Sequence, residues 1–111
     1  MTHAPGDIYW FTPDSAAGEG PRIPHPHVIA GIDGDRATLC ALTSNLGRVS
    51  MPGNILLDAG EANLTRQSVV EVSKRTTVET VRLGAYSGTL RAERVAQIAA
   101  GIRFIETSFL H

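Results

Sequence analysis

The pair Asp33-Gly34 stands between two apolar runs, 27–32 (HVIAGI) and 37–42 (ATLCAL), with only the tetrapeptide DGDR joining them. Asp-Gly in that setting is a strong hairpin signal, because glycine enters the positive-φ conformation that tight turns between antiparallel strands need. Two adjacent antiparallel strands are therefore expected near the middle of the chain, and an all-helical fold is excluded. Upstream, residues 8–11 (IYWF) are aromatic and β-favouring and are broken by Thr12-Pro13-Asp14. Residues 12–26 read as a long loop, of the kind that often carries function in a small domain. Downstream come a second polar loop (TSNLGRVSMPGN), the short strand ILL, and the break DAGEAN. The segment QSVVEVSKRTTV is strand-like again, with Val70 and Val72 on one face and Glu71 and Ser73 on the other. TVRLGAYSG reads as one more strand or as a connection.

The C-terminal segment changes period. Val95, Ile98, Ile102, Ile105 and Phe109 recur at three- and four-residue intervals, which lays one apolar stripe along a helix. Thr89 after Gly88 is placed as its N-cap, with Arg103 on the polar face. At 111 residues the chain makes one domain, 1–111, with a single core. The expectation is a mainly β fold: five or six strands in an antiparallel meander, a small twisted sheet or partly open barrel closed by a C-terminal helix.

Composition narrows the function. With 42% hydrophobic and 19% charged residues, the chain is neither a disordered tail nor a membrane protein. The N-terminal MTHAPGD lacks the basic flank and apolar stretch of a signal peptide, so a cytoplasmic location is expected. Cys40, the single cysteine, lies inside an apolar run and reads as a small buried hydrophobe, which leaves no disulfide framework. A net charge of −1 argues against non-specific coating of nucleic acid and leaves room for a local basic patch.

His25 and His27, two apart in GPRIPHPHVIAG, point to one side if the segment is extended. A metal needs a third and usually a fourth ligand, and His3 and His111 lie at the chain ends, so no metal and no cofactor is assigned. Histidine also moves protons near neutrality. Cutting RNA without a metal needs such a group for the 2′-hydroxyl and leaving-oxygen protons, together with cations for the charge on phosphorus. His25 or His27 can move protons, Arg22, Arg48, Lys74 and Arg75 can bind phosphate, and Thr43 and Ser44 can donate hydrogen bonds from a strand end. Tyr9-Trp10-Phe11 could stack bases or simply be core. Equally, the histidines could only fill a turn, and Lys74-Arg75 could be a solvated strand end.

In order along the chain, GDIYWF, a proline before HVIAG, a strand ending LTS, SVVEVSKRTTV and GTLRAERVAQIAAGIRFI resemble the MazF/PemK family of toxin ribonucleases. The resemblance covers nearly the whole chain. It implies an SH3-like barrel with a C-terminal helix, acting as a cytoplasmic homodimer that cleaves single-stranded RNA at short sequences without metal. A cyclic 2′,3′-phosphate and a 5′-hydroxyl are the implied products, and a cognate antitoxin protein the implied partner. Thr43 matches the family's active-site threonine. His25-Pro26 stands where the family has arginine-proline, which makes His25 the catalytic candidate beside Thr43 and Ser44. RNA binding falls to Arg22, His27, Arg48, Lys74 and Arg75. Glu71 and Ser73 occupy positions where some members carry a catalytic arginine and acid, so the alternative is a catalytically silent RNA- or protein-binding module. IYWF and the loop 43–54 are expected near the dimer interface.

Overall fold

The computed structural model describes residues 2–13 and 23–109. Arg22 and His111 lie outside the described residues. Six strands and one long helix form: β1 (Asp7–Phe11), β2 (His25–Asp33), β3 (Arg36–Thr43), β4 (Ile55–Leu57), β5 (Ser68–Glu79), β6 (Tyr86–Thr89) and α1 (Ala92–Phe109). Short 3-10 turns occupy Leu46–Ser50, Glu61–Asn63 and Thr80–Arg82. The expected hairpin is present, with Asp33 paired to Arg36 across Gly34-Asp35. Gly34 has φ +62° and Asp35 does not take a positive φ, which is the pattern of a type II′ turn.

The sheet is wholly antiparallel but is not the simple meander expected, because its order is β4-β5-β3-β2-β1-β6. β5 inserts beside β3 and carries β4 on its outer edge, while β6 returns to the free edge of β1. Curvature comes from β5. Its register against β3 jumps from Cys40–Arg75 to Ala41–Glu71, so residues 72–74 are extra on that strand and bend it. The result is a curled half-barrel with two apolar clusters. Ile8, Val28, Cys40, Leu42, Val70 and Val72 pack beneath Ile98 of the helix, with Ile102 and Ile105 partly buried against them. Tyr9, Phe11, Ile29, Leu39 and Val78 form the second cluster. The side chains of Val28 and Ile29 belong to different clusters, as strand alternation requires.

The helical stripe holds at Val95, Ile98, Ile102 and Ile105, while the side chain of Phe109 lies outside the described residues. The helix begins later than expected. Thr89 ends β6, and its hydroxyl donates to Asp7 Oδ1 at 2.8 Å instead of capping. The first carbonyl of the helix is that of Arg91, which accepts from the Arg94 and Val95 amides. Farther along, Gly101 meets the loop at Gly53 so closely that an added Cβ would lie 2.4 Å from the Gly53 carbonyl oxygen.

An ion pair ties the helix to the turn at 61–63. Arg94 Nε and Nη2 donate to Glu61 Oε1 and Oε2 at 3.0 and 2.9 Å, and the Asp58 amide donates to Glu61 Oε2 at 2.7 Å. The Arg94 guanidinium holds the Glu61 carboxyl below the ordinary carboxylate range, partly opposed by burial. This stabilisation is fully present above the unfolded carboxylate pKa of about 4.3 and is lost as pH falls through the lower folded value. Arg94→Gln should therefore lower stability by about 1–3 kcal/mol at neutral pH, with the difference shrinking at more acid pH. Urea midpoints at the two pH values check it.

Candidate functional site

Where β1 ends, β2 begins and β3 ends, the curled sheet leaves an open cavity of about 460 Å³. His25, Thr43 and Ser44, the three residues singled out for catalysis, all line it. The register explains this. His27 pairs with Ala41, and two residues farther along each strand β2 begins at His25 and β3 ends at Thr43, so both residues come to the same end of the sheet. The Thr43 hydroxyl oxygen accepts from the Asn45 amide at 3.1 Å, and Asn45 in turn accepts from the Gly47 amide at 3.2 Å. Thr43 is thereby held in place with its own hydroxyl proton free to donate. Of the aromatic triplet, Tyr9 and Phe11 are buried and only Trp10, 42% exposed, reaches the cavity. Alternation along β1 makes that division.

The opposite wall is the segment 63–66, with Arg66 among its cavity-lining residues. Ala62 and Asn63 hold φ +47° and +64°, a left-handed conformation that costs non-glycine residues of order 1–3 kcal/mol each. Cross-links to β6 hold it: Asn63 Nδ2 donates to the Ser87 carbonyl at 2.9 Å, and Ser87 Oγ donates to the Ala62 carbonyl at 3.0 Å. Gly88 permits this approach, since a Cβ there would lie 2.4 Å from the Ala62 oxygen. Ser68 Oγ donates to the Arg66 carbonyl at 3.2 Å and pins the far end of the wall.

A second constellation centres on Glu71, whose side chain is 5% exposed. Arg48 Nε lies 3.3 Å from its Oε1 and Lys74 Nζ lies 3.2 Å from its Oε2. A buried carboxylate needs counter-charges, and this one gathers two from separate segments. The bend at 72–74 brings Lys74 back over Glu71, and Asn54 fastens the Arg48 loop by donating to the Arg48 carbonyl at 2.9 Å and accepting from the Val72 amide at 3.1 Å. Sequence alone reads Glu71 as a lost positive charge. In the fold it organises a patch whose three groups sum to one positive charge.

The remaining candidates lie elsewhere. His27 is buried, edge-on to Phe11 at 5.3 Å, with Nδ1 2.9 Å from the His25 carbonyl. A carbonyl only accepts, so Nδ1 carries the proton of that bond. Burial pushes the His27 pKa down, against the pull of the His25 carbonyl. Arg75 sits on another surface, in a shallow hollow of about 280 Å³ with Thr38, Ile102 and Glu106, its Nη2 4.0 Å from the Glu106 carboxylate. Among the described residues no three of His, Cys, Asp and Glu gather to hold a metal ion, and no helix is long and apolar enough to cross a membrane. Cys40 is buried, and burial pushes its thiol up to about 11. It should resist thiol reagents in the native protein and react at once in denaturant; rapid native labelling would contradict this packing.

The sequence model of the family described as PemK-like, MazF-like toxin of type II toxin-antitoxin system matches residues 4–105. The chain belongs to this family. Endoribonuclease MazF6 of Mycobacterium tuberculosis and endoribonuclease MazF2 of Mycobacterium bovis are each 28% identical to it over 109 residues, covering 93% of this chain and 96% of theirs. The same fold appears in a mycobacterial endoribonuclease solved in complex with its cognate antitoxin, with a TM-score of 0.71, 17% identity and 97% of both chains covered. The Mycobacterium tuberculosis toxin MazF-mt6 also matches, with a TM-score of 0.69, 19% identity and 93% and 95% coverage. The curled sheet with its C-terminal helix is thus the architecture of the MazF-like toxins.

Proposed function

We propose that this MazF-like chain is the toxin of a toxin–antitoxin pair: a metal-independent, sequence-specific endoribonuclease that cleaves single-stranded RNA by 2′-hydroxyl attack. The observation that carries this reading is the convergence of His25, Thr43 and Ser44 on one open cavity. His25 is exposed there and moves protons. The 2′-oxygen loses its proton and attacks phosphorus, the bond from phosphorus to the 5′-oxygen breaks, and that oxygen takes up a proton. A 2′,3′-cyclic phosphate and a 5′-hydroxyl result. Thr43 and Ser44 donate to the non-bridging oxygens, and Trp10 offers a face on which a base stacks. Lys74 and Arg48, both partly exposed around Glu71, contact the RNA backbone. His27, buried against Phe11, positions the His25 backbone through its bond to the His25 carbonyl.

Incubation with a long single-stranded RNA in EDTA should produce discrete cuts. Intact RNA together with measurable RNA or protein affinity would replace this reading with a catalytically silent binding module. A symmetric homodimer in the cytoplasm and a cognate antitoxin that occupies the RNA groove complete the proposal. Leu46, Val49 and Met51 are all more than 40% exposed within the 43–54 loop and support an interface there. Light scattering at micromolar concentration should give twice the chain mass, and a monomer would contradict the dimer.

A further inference from the structure

Transesterification at phosphorus puts extra negative charge on the non-bridging oxygens, and a proton-moving histidine with two hydroxyl donors leaves that charge without a cation. Arg48, Lys74 and Arg75 are the described cations that the sequence nominates. None of the three lines the cavity that holds His25, and each lies beside a carboxylate: Arg48 and Lys74 beside Glu71, and Arg75 beside Glu106. Arg94 is held by Glu61, and Arg91 lies 3.7 Å from Glu93. Arg66 differs from all of these. It lines the cavity that holds His25, Thr43 and Ser44, and it has no carboxylate partner among the described residues. The Ser68 hydroxyl pins its carbonyl, and the wall that bears it is tied to β6 through Asn63 and Ser87. The backbone at Arg66 is anchored, and its guanidinium has no hydrogen-bond or ion-pair partner among the described residues.

From this we infer that Arg66 is a further catalytic residue, the cation that binds the reacting phosphate in the cavity beside His25. The inference rests on the ribonuclease reading for its reaction, and on cavity geometry for its anion. A planar guanidinium grips two phosphate oxygens at once and stays charged throughout, so it stabilises the developing charge without a proton of its own to lose. No other arginine or lysine among the described residues lines this cavity. A mere surface arginine would affect neither turnover nor anion binding at His25.

Two measurements on the full chain test this. In steady-state cleavage of a short RNA containing one mapped cut, Arg66→Ala should lower kcat by ~10²–10³ with KM changed only a few-fold, and Arg66→Lys should recover part of the loss. In parallel, inorganic phosphate is titrated while the His25 ring protons are followed by NMR. These should shift in the wild type and fail to shift in Arg66→Ala. A kcat within a few-fold of wild type, or a loss confined to KM, overturns the catalytic assignment. A phosphate response unchanged by Arg66→Ala overturns the anion site. If the wild type leaves RNA intact, the ribonuclease reading fails and the catalytic role of Arg66 with it, while the phosphate titration still decides whether Arg66 binds an anion there.

Discussion

His25→Ala should reduce RNA cleavage by ~10²–10⁴ and leave the fold intact. The side chain is exposed at the start of β2 and makes no hydrogen bond to another described side chain, so its removal opens no cavity in the core. What His25 contributes to the fold is its carbonyl, which accepts from His27 Nδ1 and which alanine retains. A loss of rate with an unchanged melting temperature therefore separates chemistry from structure. His27→Ala should behave in the opposite way. It removes a buried ring packed edge-on to Phe11 and should lower stability first. Cleavage at the wild-type rate by His25→Ala would remove this residue from the mechanism.

Gly101→Ala should destabilise the protein by about 3 kcal/mol or more, near the upper end of overpacking effects. An added Cβ would lie 2.4 Å from the Gly53 carbonyl oxygen, a backbone atom that no side-chain rotation can move. Gly53 cannot easily yield. It holds φ +81° and already lies so near the helix that its own Cβ would fall 2.9 Å from both the Gly101 carbonyl and Val72. The clash would lift α1 from the sheet at the point where Ile98, Ile102 and Ile105 cover the first apolar cluster. Gly31→Ala is the matched control. Gly31 has open space around its Cβ position and no positive φ, so this variant should be neutral or slightly stabilising. Equal urea midpoints for Gly101→Ala and wild type would show that helix and loop do not meet as described.

The parts of the fold legible in the sequence are those set by local chemistry. Asp33-Gly34 announced its hairpin, the alternation of 67–78 its strand, and the stripe from Val95 to Ile105 its helix. Strand order was not legible. It depends on β5 reaching past β4 to pair with β3, a long-range choice that local pattern does not encode. β6 is short and polar and exists because β1 offers a free edge, so its own residues read equally as a connection. The helix starts later than residue type alone implies, because Thr89, a good cap by type, is engaged by Asp7 from the other end of the chain. The site divides in the same way. Thr43 and His25 stand at strand ends, and the sequence resemblance alone points to them. Arg66 belongs to no motif and reaches the cavity only because β5 and β6 clamp its loop. The cationic patch around Glu71 is not legible in the sequence, because its two cations come from a loop and a bend that only the folded chain brings together.

The most direct test of this account is the chemistry of the RNA ends. Wild-type protein and His25→Ala are incubated in EDTA with one long single-stranded RNA, and the termini of every fragment are mapped. The account predicts discrete cuts by the wild type that leave 2′,3′-cyclic phosphates and 5′-hydroxyls, absent with the variant. Fragments ending in 3′-hydroxyls and 5′-phosphates, or equal cutting by both proteins, would contradict 2′-hydroxyl attack centred on His25.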